Sequence, residues 1–348
     1  MHYDVLIIGA GPAGSTVAWN VAKENYRVLL VDKKKVVGEP VQCAEYVPAL
    51  LCKEIALPSE CIANSIRYLT LFAPDKRKYR IAAPGYIVSR SYFDKWLAIN
   101  AIQNGAELWL NTRFIKFSKH YAILQKQNKI IKIKAKIVVG ADGPSSKVNR
   151  SINKRYNGYV LGYQQEHPLV RPMDTTEVYF DKRFYGGYAW LFPKRDSANV
   201  GLGIKLRSGG NADIKRLLAY FVQKIVRQGK IFASPIATTM GLIPVSGPVN
   251  SVKENIVLVG DAAGQTHPIT GAGISQAVIC GRIAARAIIK ALKNRDLKAL
   301  NQYELEWHAL FYDELKRASE RRNLMEQNWN NLKKYFKRIW VSFPEYYG

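Results

Sequence analysis

The sequence predicts an α/β protein with a parallel sheet, an interleaved antiparallel sheet and helices at the C-terminus. Three observations lead to this prediction. A buried strand near the N-terminus runs into a glycine-rich turn and a helix, two later apolar strands end in Gly-Asp or Ala-Asp-Gly, and residues 158–204 show an alternating apolar pattern. The first two features are typical of a Rossmann-like domain, and the third is typical of an antiparallel sheet.

The stretch from Tyr3 to Asp32 predicts a strand, a tight turn, a helix and a second strand. The glycines of its G-x-G-x-x-G pattern are Gly9, Gly11 and Gly14. They allow the sharp turn, the approach of a pyrophosphate and close packing of the helix, whose free N–H groups attract the anion. Asp32 stands where a carboxylate accepts hydrogen bonds from ribose hydroxyls. This context predicts adenine dinucleotide binding; the alternative is a glycine-rich turn in an ordinary βαβ unit.

Composition limits the class of protein. The chain has 348 residues, 48% of them hydrophobic, so it can bury a large core divided into two structural regions. Its four cysteines show neither C-x-x-C nor zinc spacing, so we expect no disulfide framework and no metal site. A strand begins almost at the first residue and no apolar run is long enough to span a bilayer. These features predict a cytoplasmic protein.

The net charge of +25 favours nucleic acid, an anionic membrane surface or an acidic partner. The alternative is a general basic bias, because the lysines are scattered along the chain. No zinc finger or RNP sequence accompanies the charge, so we expect no nucleic-acid partner.

A loop follows the second strand, because Gly38 and Pro40 interrupt any helix there. In nucleotide-binding folds of this kind such a loop can reach over the cofactor. Cys43 is therefore a candidate for contact with a redox centre. The alternative is a small buried residue, which is the usual environment of a free cysteine.

Two polar residues flank the next elements. Arg90 precedes a predicted helix over 91–104 and either contacts phosphates or lies on the surface. The apolar strand 135–139 runs into Gly140-Ala141-Asp142-Gly143, which places Asp142 at the carboxyl edge of a parallel sheet, where ligands bind.

Three aromatic residues share one face of a strand in the alternating region: Tyr188, Trp190 and Phe192. This arrangement is either a core stripe or the wall of a hydrophobic substrate cavity, and both descriptions can hold at once.

A further buried strand, 256–259, leads into Gly260-Asp261-Ala262-Ala263-Gly264, a second glycine-rich loop and a helix over 274–292. Asp261 is a candidate to bind a ribityl chain. The helix N-terminus would stabilise negative charge on a reduced ring.

Three segments together resemble those of flavoprotein hydroxylases with the p-hydroxybenzoate hydroxylase fold, which bind FAD. They are the G-x-G-x-x-G turn with Asp32, the Gly140-Ala141-Asp142-Gly143 segment and the Gly260-Asp261-Ala262-Ala263-Gly264 segment. Pro40-Val41-Gln42-Cys43-Ala44-Glu45, Tyr188-x-Trp190-x-Phe192-Pro193-Lys194 and Pro268-Ile269-Thr270-Gly271-Ala272-Gly273-Ile274 are similar to the signature of geranylgeranyl reductases. The resemblance covers about residues 3–290. The chain is short for that family beyond the helix at 274–292.

The resemblance implies a Rossmann-like FAD-binding domain (1–75, 88–155 and 250–295), an interleaved antiparallel-sheet substrate domain (76–87 and 156–249) and a C-terminal helical segment (296–348). It implies a monomer. The implied FAD-binding residues are Gly9, Gly11, Ala13, Gly14, Asp32, Lys33, Gln42, Cys43, Ala44, Arg90, Asp142, Gly260, Asp261, Pro268, Gly271, Ala272, Gly273 and Ile274. Cys43 would lie at the reactive face of the flavin as the catalytic residue, while Tyr188, Trp190 and Phe192 would line a prenyl cavity.

Two enzymatic functions and one non-enzymatic function follow. The first is reduction of isoprenoid carbon–carbon double bonds by hydride from reduced flavin, with NAD(P)H or a reduced carrier protein as electron donor. The second is a flavin-dependent monooxygenase acting on an aromatic or polyketide-like substrate. The third is a basic flavoprotein that mainly docks on membranes. The cysteine loop and the aromatic strand favour the reductase.

The C-terminal stretch predicts a basic amphipathic helix. Its apolar residues recur at steps of three or four: Met325, Trp329, Leu332, Phe336, Ile339, Trp340 and Phe343. The residues Lys333, Lys334, Lys337 and Arg338 fall between them. Such a helix either lies peripherally on an anionic membrane or packs back on the FAD-binding domain.

Overall fold

The chain folds into two sheets with helices packed against them. A computed structural model describes residues 1–54, 57–153, 158–205 and 213–348. The strands are β1 (His2–Ile8), β2 (Val28–Val31), β3 (Tyr46–Pro48), β4 (Ile62–Phe72), β5 (Lys78–Val88), β6 (Glu107–Trp109), β7 (Thr112–Ser118), β8 (Tyr121–Lys126), β9 (Lys129–Gly140), β10 (Tyr159–Pro168), β11 (Thr175–Tyr179), β12 (Ala189–Pro193), β13 (Ser197–Lys205), β14 (Ala237–Pro244), β15 (Val252–Lys253) and β16 (Ile256–Leu258). The helices are α1 (Pro12–Ala22), α2 (Leu51–Glu54), α3 (Arg90–Gln103), α4 (Lys147–Ile152), α5 (Ile214–Arg227), α6 (Ile274–Asn294), α7 (Asn301–Trp307), α8 (Asp313–Gln327) and α9 (Leu332–Ile339).

The first sheet has the strand order β15-β16-β9-β1-β2-β6. Strands β16, β9, β1, β2 and β6 are parallel, and their registers pair Ile8 with both Val31 and Gly140, and Gly140 with Leu258. Because these four residues end their strands at one edge, the loops that follow them lie side by side. The two faces of β1 bury different residues: Val5 and Ile7 face α1 and α6, whereas Leu6 and Ile8 face the antiparallel β7–β8–β9 ribbon.

The second sheet has the order β14-β10-β13-β12-β11-β4-β5-β3, and the pairs are antiparallel except for β11 with β4. Its outer face buries Leu191, Val200 and Leu202 against Leu218 and Phe221 of α5. The alternating pattern of residues 158–204 is thereby explained, since every second residue faces α5. The predicted fold class, a Rossmann-like sheet with an interleaved antiparallel sheet, is confirmed.

Two strands belong to a different sheet from the one that the predicted domain boundaries imply. β3 and β4 fall within the range 1–75 that the sequence assigns to the FAD-binding domain, but both are hydrogen-bonded into the second sheet. The reason is non-local: β4 pairs along its length with β5, and its other edge pairs with β11, about a hundred residues later in the sequence.

The C-terminal stretch forms two helices, α8 and α9, with a tight helical turn at Trp329–Asn331 between them. Its apolar side chains are buried, and they pack on Leu71, Val178 and Phe180 of the second sheet and on Ile269. The apolar face is therefore buried core, as the second alternative expected, and the prediction that it enters a membrane is wrong. Its contacts include Ile269 of the FAD-binding range 250–295, but they also extend over the second sheet. Lys333, Lys334, Lys337 and Arg338 are exposed. Among the described residues, no helix combines the length and apolar character that crossing a membrane requires.

Candidate functional site: a flavin-type cleft at the edge of the first sheet

The glycine-rich turn between β1 and α1 has one glycine that faces open space. A Cβ at Gly9 would lie 2.9 Å from the backbone nitrogen of Asp142, and a Cβ at Gly14 would lie 3.2 Å from the Cβ of Ala141, so both positions are filled by the protein itself. Gly9 also has a left-handed φ of +107°. A Cβ at Gly11 would meet nothing within 4 Å. Space for a ligand therefore opens beside Gly11.

Asp32 is held at the same edge by backbone hydrogen bonds. The N–H of Ala10 donates to Oδ2 at 2.7 Å, and the N–H of Lys34 donates to Oδ1 at 2.8 Å. Each carboxylate oxygen accepts two hydrogen bonds, so one acceptor position on each remains for a ribose hydroxyl. The side chain of Lys33 is exposed, and it is Lys34 that is half-buried here, where burial lowers its pKa and Asp32 opposes the shift.

Asp142 serves a local structural role. Its carboxylate accepts hydrogen bonds from the hydroxyl of Ser146 at 2.5 Å and from the backbone N–H of Lys147 at 2.7 Å. Burial raises the pKa of Asp142, although these hydrogen bonds oppose the shift. The residue therefore fixes the turn into α4 at the cleft edge, while its Oδ1, which accepts a single hydrogen bond, keeps one acceptor position.

The loop after β16 brings a buried carboxylate to the cleft. Asp261 accepts a hydrogen bond from the hydroxyl of Thr266 at 2.5 Å, and a Cβ at Gly273 would lie 3.2 Å from the same oxygen. Burial raises the pKa of Asp261, whereas Thr266 and the nearby Arg90 guanidinium lower it. Gly260, with a φ of +69°, lies against α1, since a Cβ there would be 3.0 Å from the Cβ of Ala13.

A buried histidine that the sequence did not indicate supports the second glycine-rich loop. The Nδ1 atom of His267 accepts the backbone N–H groups of Ile269 and Thr270 at 3.2 Å each. A nitrogen that accepts carries no proton, so the proton is on Nε2, which lies 3.2 Å from Oε1 of Glu314. The hydroxyl of Tyr346 donates to the same carboxylate oxygen at 3.1 Å. The C-terminal segment thus holds the loop that precedes α6.

The loop closes with Gly271, whose φ is +70°, and with Ala272, whose carbonyl accepts the N–H of His267 at 2.8 Å. Gly273 is the N-cap of α6 and provides no side-chain cap. Ile274 is buried in the same apolar cluster that half-buried Cys43 contacts. The structure therefore brings the start of α6 and the cysteine loop together.

Cys43 is held by one hydrogen bond to its side chain and one to its backbone. Its thiol accepts the N–H of Glu45 at 3.2 Å, and its carbonyl accepts the side-chain amide of Gln164 at 3.1 Å. Burial raises the pKa of the Cys43 thiol, and the Arg90 guanidinium opposes that shift only in part. The sulfur is therefore protonated at neutral pH.

Arg90 stands beside this thiol at the start of α3. It binds Asp94 with two hydrogen bonds, Nε to Oδ1 at 2.7 Å and Nη2 to Oδ2 at 2.9 Å. The guanidinium is thereby held by its own helix, which orients its remaining donors.

A buried ionic network anchors the cysteine loop, and no pattern in the sequence indicated the partners of its acid, Glu45. Glu45 is 1% exposed and has a left-handed φ of +72°. Its carboxylate accepts the N–H of Arg90 at 2.7 Å and the amide of Asn199 at 2.8 Å, and it lies 3.1 Å from Nζ of Lys194. Because these partners come from the start of α3 and from β13 and its preceding turn in the second sheet, Glu45 fixes the loop against both elements.

The neighbouring loop residues contact the second sheet. The amide of Gln42 donates to the carbonyl of Met240 at 2.5 Å, and the carbonyl of Ala44 is 3.4 Å from the amide nitrogen of Asn199. Neither side chain is buried in the cleft, since Gln42 is exposed and Ala44 is half-buried.

Trp190 forms part of the cavity wall on the inner face of the second sheet. Its indole N–H donates to Oε1 of Gln164 at 2.9 Å, and the amide of Gln164 holds Cys43. The ring fits because neighbouring strands carry glycine: a Cβ at Gly201 would lie 2.5 Å from the indole Cζ2. A continuous chain of hydrogen bonds therefore links the aromatic wall to the cysteine loop.

The other two aromatic residues of this strand, Tyr188 and Phe192, differ in their position relative to the cavity. Tyr188 lines the cavity, donates its hydroxyl to the carbonyl of Thr270, and makes edge-to-face contacts with Trp190 and Trp340. Phe192 does not line it and instead packs edge-to-face on Tyr46 at 6.1 Å.

The cavity is narrow, with a free volume of about 30 Å³. Its lining includes Trp190, Tyr188, Gly271, Pro268 and buried Arg322. Arg322, which the sequence did not indicate, donates to the carbonyls of Pro268 at 3.0 Å and Gly186 at 2.7 Å. Ligand pockets generally measure several hundred Å³, so a bulky ligand requires this wall to move.

Two helix starts at the cleft leave backbone N–H groups free to bind a ligand. The N-termini of α1 and α6 have no side-chain cap, the first beside the open space at Gly11 and the second beside Asp261. Free backbone N–H groups at two helix starts suit a pyrophosphate and an electron-rich ring system. Within the described ranges no cluster of His, Cys, Asp or Glu could hold a metal ion. Fold and site together define the class of FAD-dependent oxidoreductases with the p-hydroxybenzoate hydroxylase fold.

Comparison with known proteins narrows this class. The model of the geranylgeranyl reductase catalytic domain matches residues 162–242, and the lycopene cyclase protein model matches 4–182 and 213–334. The chain is 34% identical to the digeranylgeranylglycerophospholipid reductase of Methanococcus vannielii, over 89% of this chain and 83% of that one. It is 33% identical to the protein of that name from Methanocaldococcus jannaschii, over 98% and 96% of the two chains. The chain therefore belongs to the geranylgeranyl reductase family.

Solved structures agree with this assignment. A geranylgeranyl bacteriochlorophyll reductase-like protein from Thermoplasma acidophilum superposes with a TM-score of 0.86 and 27% identity, covering 99% of this chain and 93% of that one. A flavin-dependent brominase superposes with a TM-score of 0.74 at 18% identity, over 97% and 90% of the chains, and shares the fold alone.

Proposed function

We propose that this protein binds FAD and reduces carbon–carbon double bonds in the prenyl chains of an isoprenoid lipid. The observation that carries the proposal is the hydrogen-bonded link from Trp190 through Gln164 to the backbone carbonyl of Cys43, which connects the aromatic wall to the cysteine loop. The names of the relatives from Methanococcus vannielii and Methanocaldococcus jannaschii support an archaeal-type lipid as the substrate class.

The residues that would hold FAD follow from the cleft. Gly11 and the start of α1 would accept the pyrophosphate, Asp32 the adenosine ribose, and Asp261 the ribityl chain or its neighbouring phosphate. Bound FAD supplies hydride chemistry, which no side chain of the protein can provide. The start of α6, preceded by Gly273, would direct its positive dipole end at the ring.

Cys43 is the candidate proton donor. Reduction of an isolated double bond adds a hydride to one carbon and a proton to the other. The Cys43 sulfur keeps its proton at neutral pH, because burial raises its pKa, and it lies at the junction between the ring-facing helix and the aromatic wall. Glu45 and Gln164 would keep that sulfur in place from opposite sides.

Tyr188 and Trp190 would enclose the prenyl chain and exclude water. Because the cavity is only about 30 Å³ in the structure, substrate entry is expected to displace the aromatic wall. The hydroxyl of Tyr188 is bonded to the loop at Thr270, so movement of the wall and movement of the ring-facing loop are coupled.

A single anaerobic experiment tests the proposal. The purified protein is denatured and the released flavin is identified by chromatography. The reduced holoprotein is then mixed with a geranylgeranyl lipid in the absence of oxygen. We expect FAD, reoxidation of the flavin by the lipid, and a product heavier by two hydrogen atoms per reduced bond in mass spectrometry.

Two results would contradict the proposal. One is the release of FMN or of no flavin after reconstitution. The other comes from a parallel aerobic assay: oxygen consumption in step with turnover of an aromatic substrate, and no turnover of the lipid, would support the monooxygenase instead. Repeating the assay with NADH, NADPH or a reduced carrier protein identifies the electron donor. The 348 residues contain no second G-x-G-x-x-G segment, which argues against a separate NAD(P)-binding domain of the disulfide-reductase kind among them.

A further inference from the structure

Three chain segments meet at one end of the second sheet. The end of β10 continues to Val170, whose N–H donates to the carbonyl of Lys230 at 3.0 Å. The N–H of Phe232 donates to the carbonyl of Pro168 at 3.0 Å, and the N–H of Leu169 donates to the carbonyl of Asp196 in the turn between β12 and β13 at 2.8 Å. These hydrogen bonds define a rigid surface, which we call the sheet tip. Its outward-facing residues are Val170, Arg171, Arg195, Arg227, Phe232 and Ile236.

The sheet tip exposes large apolar side chains that a monomer in water normally buries. Val170 is 48% exposed, Phe232 56% and Ile236 65%. The backbone beneath them is well fixed: Ile236 donates its N–H to the carbonyl of Glu166 at 2.8 Å, and the ring of His167 lies 3.0 Å from the carbonyl oxygen of Phe232. Clustered apolar side chains on a fixed surface mark an interaction site rather than a disordered loop.

The charges around these side chains are mostly positive and unpaired. Among the residues that the structure describes, Arg171, Arg195 and Arg227 are exposed and have no ion pair. The neighbouring acids Glu166 and Glu177 are each paired, with Lys194 at 3.3 Å and Lys230 at 2.6 Å. Asp196 is the remaining acid of this turn. The surface therefore carries a local positive charge within a chain whose net charge is +25.

We propose that the sheet tip docks the protein on an anionic lipid bilayer. Phe232, Ile236 and Val170 would enter the boundary between headgroups and acyl chains, and the arginines around them would contact the lipid phosphates. A bilayer fits better than a folded partner, because an anionic membrane satisfies the apolar and the positive groups at once. The proposal uses the lipid substrate of the proposed function only to explain why docking is useful. Binding itself is measured without turnover.

The test is sedimentation of the full-length holoprotein with vesicles of phosphatidylglycerol and phosphatidylcholine at low salt. Three variants are compared with the wild type. The first carries Phe232→Ser and Ile236→Ser, and the second carries Arg171→Gln, Arg195→Gln and Arg227→Gln. The matched control removes four positive charges elsewhere and carries Lys333→Gln, Lys334→Gln, Lys337→Gln and Arg338→Gln. Flavin content and melting temperature verify folding, and turnover of a short, water-soluble isoprenoid verifies the active site.

We expect the arginine variant to lose vesicle affinity by at least about tenfold, because each arginine near an anionic surface contributes about fivefold. We expect a loss of at least about tenfold in the serine variant also, because two large apolar side chains no longer enter the bilayer. The C-terminal control should change the affinity much less, and purely phosphatidylcholine vesicles should not bind the wild type. Equal losses in the control and the tip variants would overturn the proposal, since they would indicate only a general charge effect. A wild type that ignores vesicles but forms a dimer dissolved by Phe232→Ser and Ile236→Ser would also overturn it and would assign the tip to a second copy of the chain. In both cases unchanged turnover of the soluble isoprenoid leaves the proposed function intact.

Discussion

Gly11→Ala separates cofactor binding from folding. The backbone at Gly11, with φ −81° and ψ −173°, suits alanine, and the new methyl group meets no protein atom within 4 Å. The position is the N-cap of α1, where alanine is somewhat less favourable than glycine, so the apoprotein should lose at most about 1 kcal/mol of unfolding free energy. The methyl group would instead occupy the space where the pyrophosphate approaches. We therefore expect FAD affinity to fall at least about tenfold, which is about 1.4 kcal/mol.

Gly14→Ala provides the matched control. Alanine gains about 1 kcal/mol of helix propensity at this position inside α1, but its Cβ would overlap the carbonyl oxygen of Gly9 and lie 3.2 Å from the Cβ of Ala141. Overpacking against backbone costs about 3 kcal/mol, so the apoprotein should lose about 2 kcal/mol net. Urea unfolding of both apoproteins and fluorescence titration with FAD give the two quantities. Wild-type FAD affinity in Gly11→Ala would refute the assignment of the open space to the cofactor.

Three further substitutions test other parts of the site. Burial raises the folded-state pKa of Asp261 above its unfolded value of 3.8. The contribution of protonated Asp261 to the free energy of unfolding is therefore fully present below pH 3.8, and it is lost as the pH rises through the folded-state pKa. The apoprotein should therefore lose stability relative to Asp261→Asn as the pH rises above about 4 in urea titrations; a pH-independent difference would contradict this. Arg322→Met should lower the free energy of unfolding by about 3 kcal/mol, because two buried carbonyls lose their donor and Glu326 keeps only Lys205 as an ion-pair partner. Exposed Arg338→Met should change the free energy of unfolding by under about 0.5 kcal/mol, and equal effects of the two substitutions would disprove the role of Arg322. Cys43→Ala should retain FAD and slow alkene reduction, and wild-type rates of both flavin and alkene reduction would show that the thiol only fills space.

The first sheet could be predicted because its signals are local. A buried strand, three glycines and Asp32 lie within 30 residues, and each glycine meets the steric or ligand constraint expected of it. Asp261 was predictable for the same reason, since strand, Gly-Asp pair and helix follow one another in the chain. The aromatic strand at 188–193 was recognisable from its period of two, although Phe192 packs on Tyr46 outside the cavity.

The features that could not be predicted from the sequence depend on contacts between residues far apart in the chain. β4 belongs to the second sheet because β11 pairs with it, and no pattern within β4 announces that partner. Glu45 resembles any loop acid until Lys194 and Asn199 reach it from another strand. The spacing of apolar residues correctly predicted an apolar face on the C-terminal helices. That spacing alone does not show whether the face contacts lipid or a sheet.

The Cys43 loop could also not be resolved from sequence alone. A free cysteine in a loop is equally compatible with filling space and with redox chemistry. The structure places its thiol beside Arg90 and its carbonyl on Gln164, contacts that join residues 43, 90 and 164.

The glycines behind Trp190 give the cavity a second set of determinants. Gly162, Gly201 and Gly203 lie on neighbouring strands beneath the indole, and a Cβ on any of them would lie within 4 Å of its ring, closest at Gly201. A single methyl group added there would push the indole away from the sheet and into the space that a ligand needs. Under the proposed function, substitution of Gly162 or Gly201, which do not line the cavity, could therefore change which prenyl chains fit. Comparisons of substrate range among relatives should accordingly include the layer behind the wall as well as the wall itself.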